Sequence, residues 1–157
     1  MAFQRFGIEV MGEKQVSRAF EAYAHEVEDL SEPLGRIGDS LISHVHGQFA
    51  TEGGAGSYGR WKPLNPTYEA WKQQQVGDQP ILVFTGKMRA AMVDHGAVTV
   101  SPRKMVYDPD VPDYTEKHQT GDGVPQRRMV DLPKTVARQW ERVFATWLNE
   151  QRQMRGF

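Results

Sequence analysis

Near the end of the chain, Val136, Trp140, Val143 and Trp147 recur at intervals of three and four residues. That interval puts all four on one stripe of an α-helix. Two tryptophans on such a stripe demand cover, so this feature constrains the fold more than any other. Asp131 is expected to cap the helix and Pro133 to sit in its first turn. A matching stripe lies upstream. Leu34, Ile37, Leu41, Val45 and Phe49 repeat in the same way behind "SEPLGR", where Ser31 offers an N-cap and Pro33 an early helical residue. A third stripe, Val16, Phe20, Tyr23, Val27 and Leu30, predicts a helix from Glu13 onward.

Other segments follow a period of two. In "FGIEVM", Phe6, Ile8 and Val10 alternate as on a half-buried strand that Gly12 ends. "AVTVSPRKMVYD" reads as a hairpin turning at Ser101–Lys104, with Pro102 fixing φ in the turn. "ILVF" (81–84) reads as a short apolar strand, and "TGKMRAAM" as a short helix capped by Thr85. "NPTYEAWKQQQ" reads as another helix, with Asn65 as cap and Pro66 just inside it. The four glycines of "TEGGAGSYGR" (51–60) and the Asp, Pro and Gly of 108–125 predict two long flexible loops. No repeat or linker divides the chain. The expectation is one α+β domain over residues 1–157: a small antiparallel sheet packed against two or three long amphipathic helices.

A length of 157 residues suits one such domain. The formal net charge of −1 supplies no basic field for nucleic acid, and the absence of cysteine excludes a disulfide framework. The N-terminus lacks a signal peptide's apolar region, and no stretch approaches the ~20 apolar residues of a membrane span. A soluble cytoplasmic protein without a membrane partner is expected. His44 and His46 lie two apart on a helix, where side chains diverge by about 200° and cannot share an ion. No G-x-S-x-G occurs, and "FTGK" lacks the glycines of a phosphate loop. Asp108, Asp110 and Asp113 lack the glycine and terminal glutamate of a calcium loop. No catalytic residue, metal or cofactor is therefore expected.

Arg127 and Arg128 with Lys87, Arg103 and Lys104 suggest a basic patch, but acids lie close to each in sequence, and solvated faces are the simpler reading. The aromatic run "GSYGRWKPLNPTYEAWK" (56–72) admits a sugar platform, a piece of core or a subunit contact. Tyr68 and Trp71, three apart on one helix face, point to core joined to subunit contact.

From Phe49 the chain continues through "GRWKPLNPTYEAWK", "ILVFTGKMRAAM", the hairpin, "YTEKHQTGDGVPQRRMVDL" and the last helix. Trp61, Pro63, Leu64 and Tyr68, then Leu82, Thr85 and Gly86, then His118, Gln119, Gly121, Pro125 and Arg127 carry a resemblance spanning roughly residues 34 to 148. In this order the signals resemble the phage virion morphogenesis family: the tail-completion or neck proteins of tailed bacteriophages, including the Mu G-like group. Thr115 departs from that pattern, since an alanine often follows the tyrosine at Tyr114; Arg128 and the "DPDVPD" lead-in also look individual.

The resemblance implies a non-enzymatic structural protein that completes the head–tail junction, made in the host cytoplasm and incorporated in the virion. It implies a homo-oligomeric ring, commonly hexameric. The partners would be a head-completion or connector protein on the portal side and a tail terminator or tail-tube protein on the other. DNA would only pass through, and near-neutral charge suits such a channel. The subunit-interface candidates are Trp61, Pro63, Leu64, Tyr68, Thr85, Gly86, His118, Gln119, Gly121, Arg127 and Arg128. Arg127 and Arg128 are expected to pair with a neighbour's carboxylate, His118 and Gln119 to hydrogen-bond at the boundary. A tail terminator capping the tube, or a small nucleic-acid-binding or regulatory module, are the alternatives.

Overall fold

A computed structural model describes residues Ile8–Met11 and 29–154. Within them the chain is α+β. It runs β1 (Ile8–Met11), α1 (Ser31–Ala50), α2 (Pro66–Val76), α3 (Lys87–Met92), a 3-10 turn at His95–Ala97, β2 (Val98–Ser101), β3 (Lys104–Tyr107), α4 (Tyr114–Thr120) and α5 (Lys134–Met154). Of the helix expected over 13–30, only Asp29 and Leu30 fall among the described residues, and neither is helical. The chain forms two compact units, one of Met1–Leu41, Val98–Asp108 and Leu132–Phe157, the other of Ile42–Ala97 and Pro109–Asp131. Each is assembled from discontinuous segments, so no sequence linker marks the division.

In the first unit the three strands form an antiparallel sheet in the order β1-β3-β2. Val98 faces Tyr107 and Ser101 faces Lys104, which leaves Pro102 and Arg103 as the two-residue turn the sequence predicts. Met105 and Tyr107 alternate with more exposed neighbours on β3, and both are buried. α1 approaches this hairpin closely at Gly38, where a methyl group would lie 2.7 Å from Val98 Cγ1 and 3.2 Å from Met105 Sδ. Glycine is what lets helix and sheet meet there.

α5 runs antiparallel to the start of α1. Trp140 Nε1 donates to Ser40 Oγ (3.1 Å), Trp147 Nε1 donates to Glu32 Oε2 (3.1 Å), and Arg36 pairs with Glu150 (2.9 Å). All five residues of the α1 stripe are buried. On α5 the stripe is Val136, Trp140, Phe144 and Trp147; Val143 is only half-buried. Residues 143 and 144 lie three and four positions from Trp140, and the bulkier phenylalanine takes the inward one.

Both expected long-helix caps shift. The N–H of Ser31 is received by Asp29 (2.8 Å), so the aspartate two residues earlier holds the start of α1. Asp131 does not cap α5. Its carboxylate receives the backbone N–H groups of Ser57 and Tyr58 from the glycine-rich loop, and Pro133 supplies the carbonyl that accepts from Val136 and Ala137. Two unmatched loop donors outcompete the helix end for this acceptor.

In the second unit, "ILVF" is not a strand. Val83 donates to the carbonyl of Pro80 (3.0 Å), and Leu82 has a φ of 62°, so the apolar run forms a turn. Residues 108–125 contain a helix, α4, closed by Gly121 in the left-handed region (φ 83°). Residues 51–60 form a loop tied by backbone bonds from Gly53 to Gln48 (2.8 Å) and from Trp61 to Glu52 (2.6 Å).

Candidate partner-binding recess

The site begins with the cap of α2. Asn65 accepts from the N–H of Thr67 (2.9 Å) and Pro66 fills the first turn, which fixes where the helix starts and hence which side chains share a face. Tyr68 and Lys72, four apart, turn toward a hollow of about 530 Å³. Lys72 is buried and donates to the carbonyls of Gln79 (2.9 Å) and Pro80 (2.6 Å), fastening the segment that follows Gly77. The turn at 81–84 then brings Leu82, Val83 and Phe84 to the same hollow.

Thr85 and Gly86 continue the wall. Gly86 occupies the cap position of α3 in the left-handed region (φ 81°), one residue later than expected, while Thr85 Oγ1 accepts from the N–H of Lys87 at 3.4 Å. Across the hollow stand Tyr114 and His118, one helical turn apart on α4, with ring centroids 6.4 Å apart and edge-to-face. Pro125 and Arg127 complete it.

Of the interface candidates, Pro63, Leu64, Tyr68, Thr85, Gly86, His118 and Arg127 line this one recess. Four do not. Trp61 is core: it meets Phe49 edge-on at 5.6 Å and donates to the carbonyl of Arg128 (3.0 Å). Gln119 is committed within the unit, donating to Val130 O (2.7 Å) and accepting from the N–H groups of Met129 (2.9 Å) and Val130 (3.2 Å). Gly121 ends α4. The Arg128 guanidinium stacks 3.6 Å above the Tyr58 ring.

Arg127 is also not the surface arginine expected. It is 5% exposed, and its Nε and Nη2 donate to the carbonyls of Lys62 (2.9 Å) and Pro63 (3.1 Å). A neighbour's carboxylate cannot meet it at a flat boundary; it lines the recess. Reversing its charge would bury a carboxylate against two carbonyls, so the fold would not be indifferent to that change.

Sequence reasoning named Tyr68 as an interface candidate but not the rest of the rim. Tyr68 and Trp71 are not core: with Phe84 and Tyr114 they stand 45%, 47%, 39% and 49% exposed, respectively. Trp71 contacts Tyr68 at 5.6 Å and stacks on Phe84 at 5.7 Å with planes 12° apart. The three- and four-residue spacings were visible, but only the turn at 81–84 brings Phe84 to Trp71.

The electrostatics are one-sided. Arg127, Lys72, Lys87 and His118 line the recess, and among the described residues no aspartate or glutamate does. Burial pulls the basicity of Arg127 down, and burial followed by the charge of Arg127 does the same to His118. Lys72 is lowered by burial, against which Glu52, Glu69 and Asp78 act. A second hollow of about 700 Å³ takes those acids on its lining together with Arg60, so its charges answer one another.

His44 faces the carbonyl of Asp131 while His46 is exposed, and no group of three His, Asp or Glu side chains suited to a metal occurs among the described residues. None of their helices is long and apolar enough to cross a membrane. Set against family models, curated proteins and solved structures, the chain finds no match in any of the three.

Proposed function

We propose that the chain is a non-enzymatic structural protein of a tailed-phage virion, acting at the head–tail junction as a homo-oligomeric ring of the neck or tail-completion kind. One observation supports this reading above the others. Residues on which the resemblance rests, from Pro63 to Arg127, border a single recess although up to 64 positions separate them in sequence. An aromatic rim left exposed on a monomer is the kind of surface that another protein covers. The connector or tail protein on either side, or the adjacent copy in the ring, is the partner class this reading supplies, and DNA passes without being gripped.

Native mass spectrometry of the purified full chain, with negative-stain imaging, is expected to give a closed ring. Phage in which the gene is interrupted should accumulate filled heads beside separate tails. Normal, infectious particles assembled without the protein would overturn the reading.

A further inference from the structure

We infer that the recess receives a short extended segment of a partner protein, seating an aspartate or glutamate side chain against Arg127 and Lys87 and laying apolar residues on the aromatic rim. This names the chemistry of the partner and rests on the assembly reading only in taking that partner to be a protein.

The charge comes first. Arginine is rarely buried without a counter-charge. Arg127 gives two of its N–H groups to backbone carbonyls, and among the described residues it forms no ion pair. Lys72 has Glu52, Glu69 and Asp78 for company, so its charge is answered from within the fold. Among the described residues no aspartate or glutamate acts on Arg127, whereas Tyr68 and His118 lie beside it. A carboxylate entering here gains a planar, fixed donor group in surroundings of low polarity, where a charge-assisted hydrogen bond is strongest.

The shape excludes two other anions. A nucleic acid needs an open basic groove that follows its backbone, whereas this is one hollow with a cationic side and aromatic walls. A small carboxylate could meet the cations but would occupy only a fraction of the 530 Å³ hollow and leave Trp71, stacked outside on Phe84, uncovered. Charge within and apolar surface beyond call for a chain that carries both.

Titration calorimetry on the full-length protein tests this with two blocked pentapeptides, leucine-proline-glutamate-leucine-phenylalanine and its glutamine counterpart. The glutamate peptide is expected to bind at least tenfold more tightly than the glutamine one. Lys87→Glu, on an exposed residue, should cut that preference at least threefold, and Trp71→Ala should weaken both peptides alike. Arg127→Gln should remove the preference; if that variant fails to fold, Lys87→Glu decides. Equal binding of the two peptides overturns the inference. So does displacement by acetate at the peptide's own concentration, or tighter binding of an eight-nucleotide oligothymidylate. Rings without carboxylate preference would sink this inference alone, and preference in a protein absent from virions would sink the assembly reading alone.

Discussion

His118 is where two effects push the same way. Burial and the nearby Arg127 guanidinium both disfavour its imidazolium, so its folded-state pKa lies below the ordinary value of 6.5. The unfolded chain therefore binds the proton more readily than the folded one. Above pH 6.5 both states are neutral at this position and nothing is lost. As pH falls from there toward the folded pKa, the unfolded state gains protons first and stability declines. His118→Gln should consequently flatten the loss of stability between pH 7.5 and 5, read as the shift of the urea midpoint at each pH. A variant whose midpoint falls as steeply as wild type would place the acid sensitivity elsewhere. This behaviour was not legible in the sequence, because nothing near His118 in the chain announces that Arg127 turns inward.

Helices and turns differ in how much of themselves they show beforehand. The α1 stripe, the Asn65–Pro66 start of α2 and the two-residue hairpin turn were all readable, because each rests on local spacing or turn chemistry. "ILVF" was not, since four apolar residues in a row carry no period that separates strand from turn. α4 was hidden by the breakers around it, although Tyr114 and His118 at helical spacing and Gly121 at the stop were present. The recess was half visible: its residues stood out, but which of them were sealed inside required the fold. Two glycines of α1 give a sharp test at this scale. Gly35 has open space where a methyl would go, whereas Gly38 abuts Val98. Gly35→Ala should stabilise by about 0.5–1 kcal/mol through helix propensity, while Gly38→Ala should be net destabilising, since overpacking costs about 1–3 kcal/mol. Thermal melts of the two variants should move in opposite directions. On α5, Phe144→Ala should cost about 3–5 kcal/mol by emptying a core position, and Val143→Ala well under half of that; a comparable loss at both positions would restore the stripe expected from spacing.

The whole molecule is stitched from distant pieces. The first unit joins the start of α1, the hairpin and α5, three stretches separated by the two segments of the second unit. Without residues 132–157, the Ser40 and Glu32 partners of Trp140 and Trp147 remain but their tryptophans do not. A chain ending at Asp131 should therefore bind a hydrophobic dye and be cut by protease within 31–41 and 98–107. Adding a synthetic 132–157 peptide should reverse both; continued cleavage at saturating peptide would show that α5 is not what closes this unit. The arrangement also sets a clock. During synthesis α1 and the hairpin leave the ribosome before α5, so the face of α1 that receives Trp140 and Trp147 must wait for a helix translated later. Until then the nascent chain offers the uncovered side of α1 to any chaperone or sibling polypeptide at hand, so a gene product made in many copies at once would be most vulnerable to aggregation in the seconds before α5 emerges.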